Sequence, residues 1–120
     1  MEPEIYGSLD SASWNDIPAG QGVQFAVLRR HANGDGATIF LRFRAGAEGA
    51  KHLHPEGEEL LVISGDITIG GQRLKPGDYL YAPPGSSHQA RAHADTVLLL
   101  SYPKPPVFER AAAASPSTRT

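Results

Sequence analysis

Cysteine is absent from the 120-residue chain, and tryptophan and methionine occur once each. Without cysteine there can be no disulfide framework, no thiolate metal site and no cysteine nucleophile. A bound metal ion would therefore depend on histidine, aspartate or glutamate. The chain also lacks long hydrophobic runs, since those at 60–63 and 97–100 extend over only four residues, whereas a membrane-spanning helix needs about 20.

Neither the charge nor the N-terminal segment indicates nucleic acid or a membrane as a partner. Lys+Arg number 11 against 13 Asp+Glu, and the formal net charge of −2 gives no basic surplus of the kind that nucleic-acid-binding domains show. Residues 1–4 include two glutamates and no apolar stretch follows them, which is not the pattern of a signal peptide. These features predict a soluble, cytoplasmic protein that binds neither nucleic acid nor membranes.

The composition and the hydrophobic pattern predict an all-β domain. Glycine (13 residues) and proline (10 residues) make up about 19% of the chain, against about 12% on average, which favours turns over long helices. Ile39, Leu41 and Phe43 recur at every second position, as expected of a strand, and Gly70-Gly71 suits a two-residue hairpin loop. Further strand candidates are 59–63, 67–69 and 96–102. Many short strands without crossover helices predict an antiparallel sandwich or barrel and exclude a parallel α/β fold.

The chain divides into three expected segments: an irregular N-terminal arm over 1–21, a barrel over 22–103 and a C-terminal extension over 104–120. Trp14 and Ile17 are the side chains expected to pin the arm to the barrel. The alanine-rich stretch 107–114 favours a short helix, although eight residues are fewer than an isolated helix needs. From residue 111 onward nothing large can be buried, which predicts a mobile tail.

Four residues are candidates for a metal site: His52, His54, Glu58 and His88. His52 and His54 are two positions apart, so that on an extended segment both imidazoles leave the same face. Glu58 follows a bend that contains proline and glycine, and His88 follows a second such turn and could approach from a neighbouring strand. Three imidazoles and one carboxylate suit Fe, Mn, Zn, Ni or Cu better than Mg or Ca, which prefer oxygen ligands.

These residues also carry a resemblance to the cupins, which are small antiparallel β-barrels of the jelly-roll kind. The first cupin motif is matched by Gly46, His52, His54, Glu58 and Gly65. The second is matched by Gly77, Pro83, Gly85 and His88. The one departure is Ala92, where the family has asparagine, and it puts contacts around the ligands in doubt rather than the ligands themselves. With its flanking strands the resemblance covers about 22–103 and implies a single cupin barrel.

Other readings of individual histidines and glutamates have to be weighed. His52 and His54 could be ordinary histidines that bond to backbone or water, but the motif spacing favours metal ligation. Glu58 and Glu59 face opposite sides of a strand, so only one can reach an ion, and the spacing favours Glu58. His31 and His93 match no motif and are expected to be exposed loop residues.

Aromatic and arginine side chains on the strands have a structural explanation that suffices. Packing in the core and the barrel wall, with some side chains lining a cavity, is expected of Phe40, Phe43, Tyr79 and Tyr81. Arg42 and Arg44 are expected on a solvated face, while the alternative is that an inward arginine holds a substrate carboxylate or phosphate.

What the resemblance implies about function ranges over dioxygenases, isomerases, decarboxylases, lyases, storage proteins and sensors. The stretches 52–65 and 79–88 are also similar to cupins of the anti-sigma factor C-terminal domain and to small-aromatic-ketone dioxygenases. The anti-sigma proteins carry a helical domain that binds the sigma factor, and the 21 residues before the first expected strand leave no room for one. We therefore disfavour a regulatory function at this point.

The sequence predicts a small metal-dependent enzyme, most plausibly a dioxygenase, acting on a small carbonyl or phenolic compound. An isomerase or lyase is a weaker possibility, and the alternatives are a non-catalytic metal or ligand sensor and a zinc-stabilised barrel. The expected cofactor is one divalent transition metal, with Fe, Mn or Zn favoured, and no catalytic residue is assigned. A homodimer is expected because such barrels often pair through sheet edges. Protons should compete with the metal as the pH falls through about 6.5.

Overall fold

The structure is a computed structural model that describes residues 2–17, 22–32 and 34–108. Every strand pairing in this part of the chain is antiparallel. Its strands are β1 (Asn15–Asp16), β2 (Val23–Arg30), β3 (Ala37–Phe43), β4 (Glu48–Leu53), β5 (Glu58–Ser64), β6 (Ile67–Ile69), β7 (Gln72–Leu74), β8 (Tyr79–Ala82), β9 (Ser87–Ala92), β10 (Thr96–Tyr102) and β11 (Val107–Phe108). The described residues contain no helix, and thus none suited to crossing a membrane.

The strands form two sheets that face each other. One has the order β1-β2-β3-β10-β5-β8 and the other the order β11-β4-β9-β6-β7. The chain passes back and forth between them, so that β10 lies between β3 and β5, and β9 lies between β4 and β6. The fold is therefore the expected all-β jelly roll, with two sheets that hydrogen bonds do not close into one continuous barrel.

The core lies between the sheets and takes apolar side chains from both. The six-stranded sheet contributes Val23, Ala37, Ile39, Phe43, Leu60, Val62, Leu98 and Leu100. The five-stranded sheet contributes Ile67, Ile69, Leu74, Ala90 and Ala92. Along β5 and β10 these positions alternate with less buried ones, as the period of two requires.

The predicted hairpin loop at Gly70-Gly71 is present between β6 and β7. The prediction for the tyrosines of β8 is not confirmed. Gly70 and Gly71 both adopt positive φ, at 57° and 83°, in the hairpin between β6 and β7. The prediction that Tyr79 and Tyr81 belong to the core or the barrel wall is wrong, because each is 57% exposed. In this four-residue strand Leu80 and Ala82 take the inward positions, and the tyrosines point away from the core.

Two side chains of the described residues before β2 pack against the six-stranded sheet, Trp14 on its outer face and Ile17 on its inner face. The ring centroids of Trp14 and Phe40 lie 6.5 Å apart, and the Arg42 guanidinium stacks 4.0 Å from the Trp14 ring centroid. Ile17 packs against the core. These contacts confirm the expected anchoring, and β1 adds two backbone pairs to β2. The division at residues 21/22 and 103/104 stays a prediction.

At the other terminus the prediction of a helix over 107–114 is wrong for its described part. Val107 and Phe108 form β11, which pairs with Leu53 and His52 at the edge of the five-stranded sheet. Backbone pairing to β4 is available here and outweighs the weak helical preference of a short segment. The tail predicted over 111–120 lies outside the described residues.

Candidate metal centre

His52 and His54 present their imidazoles from the end of β4. The Nδ1 atom of His52 lies 2.9 Å from the carbonyl oxygen of Ala50. The Nδ1 atom of His54 lies 3.1 Å from the carbonyl oxygen of Ser86, which also accepts the His54 backbone N–H at 2.8 Å. A carbonyl can only accept, so Nδ1 carries the proton in both rings and Nε2 is left with a free lone pair.

Glu58 and His88 complete the cluster from two other strands. Glu58 is the first residue of β5 and follows Gly57, whose φ of 87° turns the chain back from β4. His88 lies on β9 directly across from His52, and their ring centroids are 4.7 Å apart. One ligand atom from each of the four residues lies within 4.8 Å of all the others. The structure thus brings together all four candidate residues.

The carboxylate sits among the imidazoles and remains ionised there. Its Oε2 atom lies 3.0 Å from Nε2 of His54 and 3.3 Å from Nε2 of His88. Burial would raise the pKa of Glu58, but the contacts with the His54 and His88 rings outweigh it and lower the pKa to about 2. Burial also lowers the pKa of His52 below its ordinary value, which favours the neutral, ligating form of that ring.

Two buried atoms of this cluster lack a hydrogen-bond partner in the described part of the chain: Nε2 of His54 and Oε2 of Glu58. With its Nδ1 proton directed at Ser86, the His54 ring needs a second proton, on Nε2, to donate to Glu58, and the low pKa of Glu58 belongs to the state in which such a donor is present. Without that proton the two atoms are acceptors that face each other, and a metal ion between them can supply the positive charge instead. A proton serves one pair of atoms, whereas a metal ion can serve all four ligand atoms at once. The donor set therefore fits a transition-metal ion.

Residues 2–105 match the ChrR cupin-like domain, and this match takes in both motifs and every ligand candidate. The chain belongs to the ChrR cupin-like domain family. Its match among curated proteins is more restricted: it is 32% identical over 71 residues to the DNA damage-repair/toleration protein DRT102 of Arabidopsis thaliana. That alignment covers 54% of this chain and 23% of the plant protein, so the chain spans about a quarter of that relative's length.

Solved structures share the fold of this cupin-like domain at low sequence identity. A candidate acetylacetone dioxygenase of Methylibium petroleiphilum superposes with a TM-score of 0.82 at 20% identity, covering 96% of this chain and 86% of that one. The acetylacetone dioxygenase of Acinetobacter johnsonii gives 0.80 at 15% identity, covering 92% and 79%. The complex of Rhodobacter sphaeroides SigE with the anti-sigma factor ChrR gives 0.68 at 24% identity, covering 79% and 50%.

An apolar cavity of about 230 Å³ adjoins the cluster of this cupin-like domain. Both His52 and Glu58 reach its surface, and many of its lining residues are inward side chains of β2, β3 and β10. Phe43 is the one of the four predicted aromatics that lines it, whereas Phe40 is buried on the opposite face of β3, beneath Trp14. The site therefore combines a polar cluster with an apolar chamber.

The last described residues cover one side of this cavity. Pro105, Pro106 and Phe108 line it, and the Phe108 ring lies 5.3 Å from the His52 ring, centroid to centroid. Sequence reasoning missed this contribution, since the only signal is an apolar Val107-Phe108 pair that follows two prolines. Tyr102, at the end of β10, also lines the cavity and was not singled out beforehand.

The remaining candidates from the sequence lie outside the cluster. Glu59 is exposed on the opposite face of β5, where its Oε1 accepts a hydrogen bond from the Tyr79 hydroxyl at 2.9 Å. His93 is exposed as expected, with its Nε2 2.7 Å from the Thr68 hydroxyl oxygen. His31 is half-buried rather than exposed, because it packs beside Thr38, and the His31 Nε2 atom is 3.1 Å from that hydroxyl oxygen.

The two arginines of β3 do not enter the cavity. Arg42 is exposed on the outer face, where its guanidinium donates to Oε1 of Gln24 at 2.6 and 2.9 Å. Arg44 is exposed as well. Both therefore lie on the solvated face that the alternation of β3 predicts, and neither lines the chamber next to Glu58.

Proposed function

We propose that this cupin is a metal-dependent oxygenase, of the dioxygenase kind, acting on a small carbonyl or phenolic compound. His52, His54, Glu58 and His88 would hold one divalent transition metal, Fe, Mn or Zn. The observation that supports this proposal is the pair of buried, unpartnered ligand atoms beside an apolar cavity. A structural site would be closed by protein on all sides, whereas this one adjoins empty space.

The number of protein ligands supports catalysis. Four donors occupy four of the six positions of an octahedral ion, which leaves two for substrate, water or dioxygen. A metal ion held there would supply Lewis-acid polarisation of an oxygen ligand and, if redox-active, electron transfer to dioxygen. The chain's own contribution is to fix the ligand tautomers through the carbonyl oxygens of Ala50 and Ser86 and to exclude water with apolar walls.

Charge arithmetic supports the substrate class. A divalent ion with three neutral imidazoles and one carboxylate leaves a net charge of one positive in a mostly apolar chamber. A monoanion with oxygen donors, such as the deprotonated form of a diketone or a phenol, neutralises this charge. The described residues that line the cavity include no lysine or arginine that could pair with a further carboxylate or phosphate. Sugar phosphates and dicarboxylates are thus disfavoured as substrates.

Metal analysis followed by oxygen uptake tests this function. We expect the full chain, purified without chelators, to contain about one transition-metal ion per chain and to consume oxygen when acetylacetone or a simple phenol is added to the iron-loaded protein. Glu58→Gln should abolish uptake and Glu59→Gln should preserve it. A chain that stays metal-free when Fe, Mn and Zn are supplied would contradict the proposal. Zinc bound tightly without turnover would instead favour a sensor or a zinc-stabilised barrel.

We also propose that the protein forms a homodimer through the outer face of the six-stranded sheet. Within the described residues, β8 has a strand neighbour on one side only. The exposed apolar side chains on and beside it are Leu61, Ile63, Tyr79 and Tyr81. Such an edge with adjacent aromatic residues is typical of a pairing surface. Light scattering after size exclusion should give twice the mass of 12.8 kDa, and Leu61→Asp should shift the protein towards monomer. A wild-type monomer at about 100 µM would overturn this proposal.

Location in the cytoplasm stays a prediction.

A further inference from the structure

Tyr102 is a hydroxyl-bearing residue in the lining of a mostly apolar cavity. It is the last residue of β10, two positions beyond the core residue Leu100, so its side chain shares the inward face of that strand. It lines the same chamber as His52 and Glu58. Apart from those two, Tyr102 is the only residue among the described lining whose side chain can form a hydrogen bond.

The hydroxyl is poised as a donor. It makes no hydrogen bond to any residue in the described ranges 2–17, 22–32 and 34–108, although the side chain is half-buried and packs against the core. Burial, the largest influence, and the Glu58 charge raise the pKa of Tyr102 and outweigh Arg30, which lowers it, so that the pKa lies above its ordinary value. The hydroxyl therefore keeps its proton at neutral pH, and it can donate that proton to an acceptor that enters the cavity.

We propose that Tyr102 donates a hydrogen bond to an oxygen atom of the ligand in this cavity and thereby positions oxygenated ligands beside the four-residue cluster. This inference rests on the proposed function only in placing the ligand there. A hydrocarbon of the same shape would leave the donor unpaired against an apolar surface, which costs affinity, whereas an oxygenated ligand satisfies it. Tyr102 is thus a positioning and specificity residue that selects for an oxygen acceptor.

Phenol and toluene are a matched pair of probes, because they differ mainly in an oxygen and fit the cavity. A cavity of about 150 Å³ already admits benzene, and this one is about 230 Å³. The affinity of each probe is measured by ligand-detected NMR on the full chain as purified, with metal content determined for every variant. Tyr102→Phe removes only the hydroxyl. Tyr6→Phe makes the same change at a position before β1 that is 89% exposed, and it is the control.

We expect Tyr102→Phe to weaken phenol binding about 3- to 10-fold, as the loss of one neutral hydrogen bond predicts, and to leave toluene binding and metal content unchanged. Tyr6→Phe should alter the binding of neither probe. An equal loss for both probes would show that Tyr102 acts by packing alone and would overturn the inference, as would unchanged phenol affinity. Failure of both probes to bind the wild-type protein would overturn it too. A protein without metal that still discriminates through Tyr102 would contradict the proposed function alone.

Discussion

Two buried polar residues, Thr96 and Glu58, lie at opposite ends of the jelly roll and differ in their hydrogen-bond partners. Thr96 begins β10, and Glu58 begins the antiparallel neighbour β5. The Thr96 hydroxyl accepts the backbone N–H of Asp66 at 3.1 Å and donates to the carbonyl of Ala94 at 2.8 Å. Glu58 Oε2 has no such partner among the described residues. We call the Thr96 end of the jelly roll the closed end, because its buried polar group has hydrogen-bond partners. We call the Glu58 end the open end, because a buried polar atom there has none.

This difference distinguishes the residues that stabilise the fold from the residues that are available to bind a ligand. At the closed end the Thr96 hydroxyl bonds to backbone groups, and apolar side chains such as Val62, Ile67 and Leu98 are fully buried. At the open end, an unmet buried polar atom costs about 1–3 kcal/mol, and a ligand that supplies the missing charge recovers it. We expect substitutions at the closed end to affect folding and those at the open end to affect binding.

The largest effect should come from Leu98→Ala at the closed end. Leu98 is 1% exposed, and its truncation should lower the free energy of unfolding by about 2–5 kcal/mol, because a cavity replaces its core contacts. Urea unfolding measures this. Leu9→Ala, at a position before β1 that is 38% exposed, should cost less than about 1 kcal/mol. If both leucines cost the same, the closed end would not be the stabilising region.

Next in size is the response of the open end to loss of its carboxylate. Glu58→Gln should weaken metal binding by more than about 100-fold, since it removes the anionic ligand. The metal-free protein should keep its stability within about 1 kcal/mol, because the new amide can donate to Nε2 of His54. Competition with a chromogenic chelator measures the affinity. Glu59→Gln is the matched control, and loss of the metal there instead would contradict the choice of Glu58.

Lowering the pH should weaken metal binding at the open end before it affects the closed end. The Glu58 carboxylate, with its pKa of about 2, stays ionised between pH 7 and pH 5. Protons compete with the metal for the imidazole nitrogens as the pH drops, and a protonated imidazole cannot ligate, so metal affinity should fall over this range by at least about tenfold. Burial lowers the pKa of His52, so its share of the loss should come below about pH 6.5. Isothermal calorimetry at several pH values checks this, and flat affinity would argue against a histidine-dominated site.

The smallest expected effect concerns the cover of the cavity. Phe108→Ala should weaken phenol binding about 2- to 5-fold, because part of the apolar wall is lost, and should admit bulkier aromatic probes that the wild-type protein excludes. Metal content should not change. Val107→Ala alters the neighbouring residue of β11, which pairs with Leu53 and does not line the cavity, so it should leave both probes unaffected. If the two variants bound the probes equally well, Phe108 would not be part of the cavity wall.

The sequence was informative where short-range rules apply. Alternation predicted β3, the further strand candidates correspond to β5, β6 and β10, and the spacing of His52 and His54 predicted that both rings leave one face. The motif distances added Glu58 and His88, whose meeting across three strands no local rule could have predicted. Such rules cannot choose the inward face of a four-residue strand, so the bulk of Tyr79 and Tyr81 was misleading.

Long-range pairing explains what was missed. A two-residue strand such as β11 has no periodicity of its own, and it exists because β4 offers a free edge. The position of Tyr102 at the cavity likewise depends on where the end of β10 lies relative to Pro105, Pro106 and β4. Neither the composition nor the spacing of these residues carries that information.

The packing of Trp14 gives the protein a natural optical reporter. It is the only indole in the chain, and it is held between the Phe40 ring and the Arg42 guanidinium on the face of β3 turned away from the histidines. Its emission should therefore follow release of the N-terminal segment rather than events at the ligands. Recording fluorescence and circular dichroism along one denaturation series would show whether the N-terminal segment detaches before the sheets unfold.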